Sequence, residues 1–134
     1  MNKKILLTGA TLGAFGIVLG AFGAHALKTL ISVESQQSFE TGVRYQIYHA
    51  LFLMVVGIMP FISEKRKKVV FYLTLTGVIL FSGSIYGLAT NNLTSFDFKT
   101  IALVTPIGGL FIIVSWCLLI IELLKTKPIN DVNK

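Results

Sequence analysis

The sequence contains few charged residues for its length. Asp, Glu, Lys and Arg make up 13% of its 134 residues, whereas soluble globular proteins carry roughly 25%. Most of these charges lie in short segments that separate four long stretches with almost none. A soluble protein needs charged side chains on every surface element, and only lipid allows a whole helix to go without them. The composition therefore excludes an ordinary soluble domain and indicates an integral membrane protein.

Cysteine and the familiar catalytic motifs are also scarce. Cys117, the one cysteine, lies in an apolar stretch, so it cannot form an intramolecular disulfide and is predicted to be a buried small hydrophobe. The sequence has no glycine-rich phosphate loop, no HExxH zinc motif and no pair of acids within an apolar stretch. It therefore predicts no catalytic residue, no metal ligand and no cofactor, and it leans against an enzyme without deciding the question.

The four apolar stretches are each long enough to cross a membrane. A helix needs about 20 apolar residues to span the hydrocarbon core, and runs of this length are too long for strands. We predict an all-α membrane protein, a four-transmembrane-helix bundle with spans at about residues 5–27, 43–62, 69–89 and 100–121. Residues 1–127 would form this single domain, and residues 128–134 a flexible cytoplasmic tail.

The basic residues predict the orientation of the bundle. With four spans, both termini and the second connector share one side, which carries Lys3, Lys4, Lys65, Arg66, Lys67, Lys68, Lys125, Lys127 and Lys134, while the other side carries Lys28, Arg44 and Lys99. Lysine and arginine are enriched in cytoplasmic connectors, so both termini are predicted to be cytoplasmic. The net charge of +6 therefore reflects membrane topology and does not indicate nucleic-acid binding.

The first span also has features of a secretory signal peptide. Lys3 and Lys4 precede an apolar run, and Ala24-His25-Ala26 fits a small-x-small cleavage site. However, the run is longer than the usual 7–15 residues of a signal-peptide core, and its glycines are regularly spaced. Both features favour a span that is retained, and cleavage would leave three spans.

The first connector, residues 28–42, is the longest. Apolar side chains such as Leu30, Ile31 and Phe39 alternate there with serines, glutamines and glutamates. Such a segment is typical of an amphipathic helix at a membrane surface. We therefore predict a short amphipathic helix in this outer connector, leading into the second span.

Glycines recur at spacings of four and three along the first span, and one further pair lies in the third. Small residues at these spacings allow helix backbones to approach closely in lipid. The residues assigned to helix packing are Gly9, Gly13, Gly16, Gly20, Gly23, Gly83 and Gly87. The packing partner would be a helix of the same chain, a second copy or another membrane protein, and glycines that line a pore are the alternative.

Polar side chains from three spans are predicted to lie at similar depth. The rise of 1.5 Å per residue puts six of them in the outer half of the membrane: His25, Tyr45, Gln46, His49, Ser84 and Tyr86. Polar groups within spans usually point into the bundle and pair with one another. We therefore treat these six as a candidate binding cluster in the outer leaflet. A hydrogen-bond network that fixes helix register is one alternative, and a metal or haem site is another.

Four motifs occur in order along the chain. They are Gly20-Ala21-Phe22-Gly23-Ala24-His25-Ala26-Leu27, then Tyr45-Gln46 with His49-Ala50-Leu51, then Phe81-Ser82-Gly83-Ser84-Ile85-Tyr86, and last Thr105-Pro106-Ile107-Gly108-Gly109. In these motifs the chain resembles domain-of-unknown-function family 423, which also includes eukaryotic transmembrane protein 256. The resemblance covers nearly the whole chain. It implies a small multi-pass protein of the bacterial cytoplasmic (inner) membrane with the first span retained, and it implies no activity and no catalytic residue.

The sequence is compatible with three classes of function. In the first, a non-catalytic membrane protein acts through helix packing, as an oligomer or as an accessory subunit, with lipids as its other partners. In the second, a small-molecule binder or transporter uses an outward-facing polar pocket around His25 and His49. In the third, those two histidines serve a membrane enzyme or redox protein. The glycine spacing favours the first class.

Overall fold

The computed structural model describes residues 1–126, which form four α-helices with short connections. The helices are α1 (Asn2–His25), α2 (Val33–Ile58), α3 (Glu64–Ala89) and α4 (Val104–Lys125), and two 3-10 turns, Asn91–Leu93 and Phe98–Ile101, connect α3 to α4. No strand occurs among the described residues, so the prediction of an all-α protein is confirmed. The predicted tail, residues 128–134, and residue 127 of the predicted domain lie outside the described residues.

Three segments are long and apolar enough to cross a membrane: α1, α3 and Phe98–Lys125, which contains α4. α2 is as long as α3, at 26 residues, but Arg44, Gln46 and His49 lower its hydropathy. α2 packs between α1 and α3, and Gln46 and His49 are buried there. Protein rather than lipid therefore surrounds these two side chains, and a helix in that position tolerates polar residues.

The short amphipathic helix predicted in the first connector does not exist as a separate element. Residues 33–42 are instead the first turns of α2, which begins where the Ser32 hydroxyl accepts a hydrogen bond from the Ser35 amide at 3.1 Å. A serine in this position satisfies one of the free amides of a helix N-terminus. No proline interrupts the helix from there to Ile58. The predicted helical segment is therefore present, but it continues without a break into the rest of α2 through Gly42, which is buried with the ring of Tyr86 against it.

Cys117 is exposed, contrary to the prediction that it is buried. The buried residues of α4 are Gly108, Ile112, Ser115 and Leu119. Their spacing of three and four residues defines the face that packs on α3. Cys117 lies two residues from both Ser115 and Leu119, which turns it away from that face. An apolar residue in a membrane helix has no need of a protein core, since lipid covers it equally well.

Successive helices pack against each other in antiparallel order, α1 on α2, α2 on α3 and α3 on α4. We call the end where α1 begins, α2 turns into α3 and α4 ends the basic end, and the opposite end the connector end. The larger apolar core lies toward the basic end and contains Ile5, Phe52, Leu53, Val56, Ile62, Val70, Phe71 and Leu119. A smaller one at the connector end contains Leu27, Phe39, Val43 and Ala89.

Polar side chains join the helices at the basic end. The buried ammonium of Lys67 donates to Asn2 Oδ1 at 3.0 Å and to the Gly57 carbonyl at 3.4 Å, which joins α3 to α1 and α2. Gly57 lies in the last turn of α2, where carbonyl groups lack helical partners and favour a positive charge. On the other side of α3, Arg66 Nε lies 2.9 Å from Glu122 Oε1 of α4. All four helices are therefore linked at this end.

Candidate functional site: polar groups between the helices

Gln46 connects three helices near the middle of the bundle. Its side chain is buried in α2, and Nε2 donates to the Leu12 carbonyl of α1 at 2.8 Å. The hydroxyl of Tyr86, in α3, donates to Gln46 Oε1 at 2.8 Å. Gly16 leaves room for this arrangement, because a Cβ atom there would lie 2.7 Å from Ile47 Cγ1 and 3.5 Å from Gln46 Nε2. The amide of Gln46 thus has a partner at each end.

His49, one turn further along α2, is buried with both ring nitrogens engaged. Nδ1 lies 2.7 Å from the Tyr45 carbonyl, and Trp116 Nε1 of α4 donates to Nε2 at 3.1 Å. An indole N–H only donates and a carbonyl only accepts, so this geometry fits the neutral imidazole with its proton on Nδ1. The ring also lies edge-on to Trp116, at a centroid distance of 6.3 Å. His49 therefore links α2 to α4 through the Trp116 side chain.

Serine hydroxyls join α3 to its two neighbours. Ser84 Oγ donates to the Phe81 carbonyl at 2.9 Å and accepts from the Thr105 hydroxyl of α4 at 2.6 Å. Ser82 Oγ, which points the other way, donates to the Gly42 carbonyl of α2 at 2.7 Å. These bonds are separate from those of Gln46 and His49, so the polar groups form several pairwise contacts and not one cluster.

The six residues of the candidate binding cluster are only partly brought together. Gln46 and Tyr86 are in direct contact, while His49 and Ser84 bind other partners. The Tyr45 side chain is 41% exposed and packs its ring on Phe81 at 4.9 Å. His25 is exposed at the end of α1, whereas His49 lies more than four turns into α2. Among the described residues, no hydrogen bond or ring contact joins the two histidines.

The five glycines of α1 all face α2. A Cβ atom on Gly9 would lie 2.8 Å from the Ala50 carbonyl oxygen, and one on Gly23 would lie 2.7 Å from the Phe39 ring. At Gly13 the nearest atom would be the Ala50 side chain, at 3.7 Å. In α3, Gly87 lies against the ring of Phe98, whereas no atom lies within 4 Å of the Cβ position of Gly83. The glycine stripe of the first span is therefore occupied by a helix of the same chain.

Several interhelical polar contacts were not predicted from the sequence. They include Trp116 with His49, Thr74 with Ser115 at 2.6 Å, and Lys67 with Asn2. A tryptophan N–H and single hydroxyl groups in apolar runs are donors that need acceptors once they are buried. Their presence in the apolar runs could therefore have predicted hydrogen bonds between helices. Lys67 gave no such signal, because its neighbours in sequence are also basic and only burial distinguishes it.

Four cavities in the described part of the chain lie away from the polar network. Four cavities of about 340 to 500 Å³ have linings within residues 1–126. None of these four is lined by Gln46, His49 or Tyr86. Within the same part of the chain, no three His, Cys, Asp or Glu side chains lie close enough to hold a metal ion together.

Long apolar helices joined by internal hydrogen bonds define a small multi-helix integral membrane protein. The family model described as "Protein of unknown function (DUF423)" matches residues 19–109, and the chain belongs to this family, as its motifs indicated.

Similar proteins occur in several bacteria. A UPF0382 membrane protein of Staphylococcus haemolyticus is 34% identical over 92% of this chain and 97% of its own length. The UPF0382 membrane protein YwdK of Bacillus subtilis is also 34% identical, over 92% of this chain and 98% of its own length. The UPF0382 inner membrane protein YgdD of Escherichia coli is 31% identical over 94% and 93%. No solved structure matches the chain. The predicted location in a bacterial membrane is confirmed.

Proposed function

We propose that this protein is non-catalytic and acts through helix packing, as an oligomer or as an accessory subunit of another membrane protein. The observation that carries the proposal is the state of Gln46 and His49. Every side-chain nitrogen and oxygen that these two residues offer to the bundle interior is hydrogen-bonded to another helix or to its own. Groups that act on a ligand or proton need a free position, whereas groups that fix helix register do not.

The proposal includes four spans, with residues 1–127 as one transmembrane domain and both termini in the cytoplasm. A 26-residue helix such as α2 is about 39 Å long, enough to cross roughly 30 Å of hydrocarbon. The described part of the basic end carries Lys3, Lys4, Lys65, Arg66, Lys67, Lys68 and Lys125, against Lys28, Arg44 and Lys99 at the connector end. This asymmetry supports a cytoplasmic basic end.

The outward sides of α1 and α4 are available to a partner. The glycine stripe of α1 faces α2, so an external partner would meet the opposite side of α1. Ala14 is exposed on that side, with Phe15 and Ile17 beside it. On α4, Cys117 and Ile113 are exposed. Both helices flank the bundle and have one main neighbour each.

Disulfide cross-linking in native membranes tests the oligomer. The natural Cys117 reports on the outer face of α4, and the Ala14→Cys variant in a Cys117→Ser background reports on α1. Cross-linked dimers at either position, retained after gentle solubilisation, are the expected result. The Ala50→Cys variant in the same background is the matched control, because Ala50 is 1% exposed and faces α1. A protein that is strictly monomeric, with no cross-link and no stoichiometric partner, would refute the proposal.

A further inference from the structure

Three cavities lie near the basic end, two of them lined by Tyr72 and the third by Lys4. The head cavity, of about 500 Å³, is lined by Met1, Glu64, Lys65, Lys68 and Tyr72. A cleft of about 380 Å³ between α3 and α4 is lined by Lys68, Val69, Tyr72, Leu73, Thr76 and Phe111. A cleft of about 340 Å³ between α1 and α3 is lined by Lys4, Leu7, Thr8, Thr11, Leu12 and Leu75. Lys4 Nζ donates to the Tyr72 hydroxyl at 3.0 Å. This hydrogen bond therefore joins the lining of the α1–α3 cleft to the linings of the other two cavities.

The head cavity carries an excess of positive charge. Lys65 and Lys68 line it and Lys4 stands at its rim, against the single carboxylate of Glu64. Glu64 already lies 3.8 Å from the amino group of Met1. Within residues 1–126, neither Lys65 nor Lys68 forms an ion pair. Two exposed ammonium groups are therefore free to bind an anion.

The two clefts are apolar and lead away from the lysines. From Lys68 to Thr76 the α3–α4 cleft follows α3 for about 12 Å, and the α1–α3 cleft follows α1 from Lys4 to Thr11. Aliphatic and aromatic carbon forms most of both linings. One cationic cavity with two apolar clefts matches the shape and chemistry of an anionic phospholipid, which has one phosphate and two acyl chains.

We propose that this surface binds one anionic phospholipid, with its phosphate among Lys4, Lys65 and Lys68 and one acyl chain in each cleft. Basic pockets between membrane helices are suited to anionic headgroups. A free phosphate ion would leave both clefts without a ligand, and a neutral lipid would leave the lysines without a counter-charge. The site requires only that the basic end lies at a membrane surface, so it is independent of the proposed orientation and of the proposed oligomer.

Native mass spectrometry of the full-length protein in neutral detergent tests this site. The probe is dioleoyl phosphatidylglycerol, and dioleoyl phosphatidylcholine is the neutral reference. The Lys65→Gln/Lys68→Gln variant is expected to bind phosphatidylglycerol about 30-fold more weakly, since each lysine near a membrane surface contributes about fivefold. The Lys3→Gln/Lys125→Gln variant, with the same charge loss at the same end, is expected to retain wild-type affinity. Helix content and thermal unfolding establish that both variants are folded.

Two further measurements separate this site from its competitors. The Thr76→Phe variant fills the α3–α4 cleft with a ring and should also weaken lipid binding, while glycerol phosphate should not displace the lipid. The proposal is overturned if both double variants lose affinity equally, which would indicate diffuse surface attraction. It is equally overturned if glycerol phosphate displaces the lipid, if Thr76→Phe has no effect, or if the wild type does not prefer phosphatidylglycerol.

Discussion

Gln46 is the residue whose side chain does most to join the helices, since its amide reaches α1 and α3 from α2. Hydrogen bonds between membrane helices are worth about 0.6 kcal/mol on average and up to about 1.7 kcal/mol. Gln46 makes two of them in the bundle interior. It therefore fixes the rotation of α2 relative to both neighbours more than it adds stability, because no other rotation brings both partners within reach.

A double-mutant cycle on Gln46 and Tyr86 measures this contribution. Gln46→Leu should lower the free energy of unfolding by about 1 to 2 kcal/mol, because the Leu12 carbonyl and the Tyr86 hydroxyl lose a partner. Tyr86→Phe removes only one of the two bonds and should cost about 0.5 to 1 kcal/mol. The double variant should be less destabilised than the sum of the two, as expected for groups in contact. Strict additivity in detergent unfolding curves would show that the observed bond contributes nothing.

The level of a residue along the bundle can be estimated from the sequence. Helix rise alone places Gln46 and Tyr86 at the same level, and the two are in contact. Which side chains meet at one level depends on the rotation and tilt of each helix, and periodicity does not contain that information. His25 illustrates this limit, because it is the last residue of α1 and its side chain is exposed there. Lys67 illustrates another limit. It is buried, but its neighbours in sequence are also basic, so the sequence does not distinguish it from them.

At the scale of the elements, α2 differs most from its prediction. The predicted span began at residue 43 and ended at 62, whereas the helix runs from Val33 to Ile58. Pro60 was the signal for the C-terminal end, since a residue before proline avoids helical backbone angles. Ser32 was the signal for the beginning. Hydropathy reports where lipid surrounds a helix, and α2 begins before the apolar run and ends within it, so hydropathy alone does not give the bounds of the helix.

The packing of α1 on α2 predicts different effects on stability when two glycines one turn apart are each replaced by alanine. Gly9→Ala should destabilise the protein by about 1 to 3 kcal/mol, because the new methyl group would lie 2.8 Å from the Ala50 carbonyl oxygen and force the helices apart. Gly13→Ala should change stability by less than about 0.5 kcal/mol, since its methyl group would be 3.7 Å from the Ala50 side chain and alanine favours the helix. Thermal unfolding in detergent compares the two, and equal effects would contradict this helix register.

At the scale of the whole molecule, the order of packing follows from the short connections between the helices. Seven residues or fewer separate α1 from α2 and α2 from α3, and short connections make sequential helices antiparallel neighbours. That much is predictable from apolar runs and turns. The position of α1 at the flank of the bundle is not predictable in this way, because its glycines would suit contact with any helix. Only the complementary bulk of Phe39, Val43 and Ile47 on α2 assigns them to that neighbour.

At the scale of the whole molecule, cysteine labelling of the membrane topology distinguishes three spans from four. In a Cys117→Ser background, single cysteines at Thr29 and Phe61 flank α2, and a cysteine at Ser95 lies beyond α3. All three positions are exposed. A maleimide that cannot cross membranes should label the Thr29→Cys and Ser95→Cys variants in intact cells. It should label the Phe61→Cys variant only after the membrane is permeabilised, because the basic end is expected in the cytoplasm.

The comparison of Thr29→Cys with Phe61→Cys, at the two ends of α2, is the most informative one, because α2 is the one described helix of the four that lacks the hydropathy of a span. If α2 crosses the membrane, Thr29→Cys and Phe61→Cys label from opposite sides. If its polar first half keeps it at the surface, both label from the same side, and the four-span proposal fails. Labelling of Phe61→Cys alone in intact cells would instead invert the orientation. Full labelling of all three variants after permeabilisation is the control, because it shows that protection reflects the membrane and not burial against neighbouring helices.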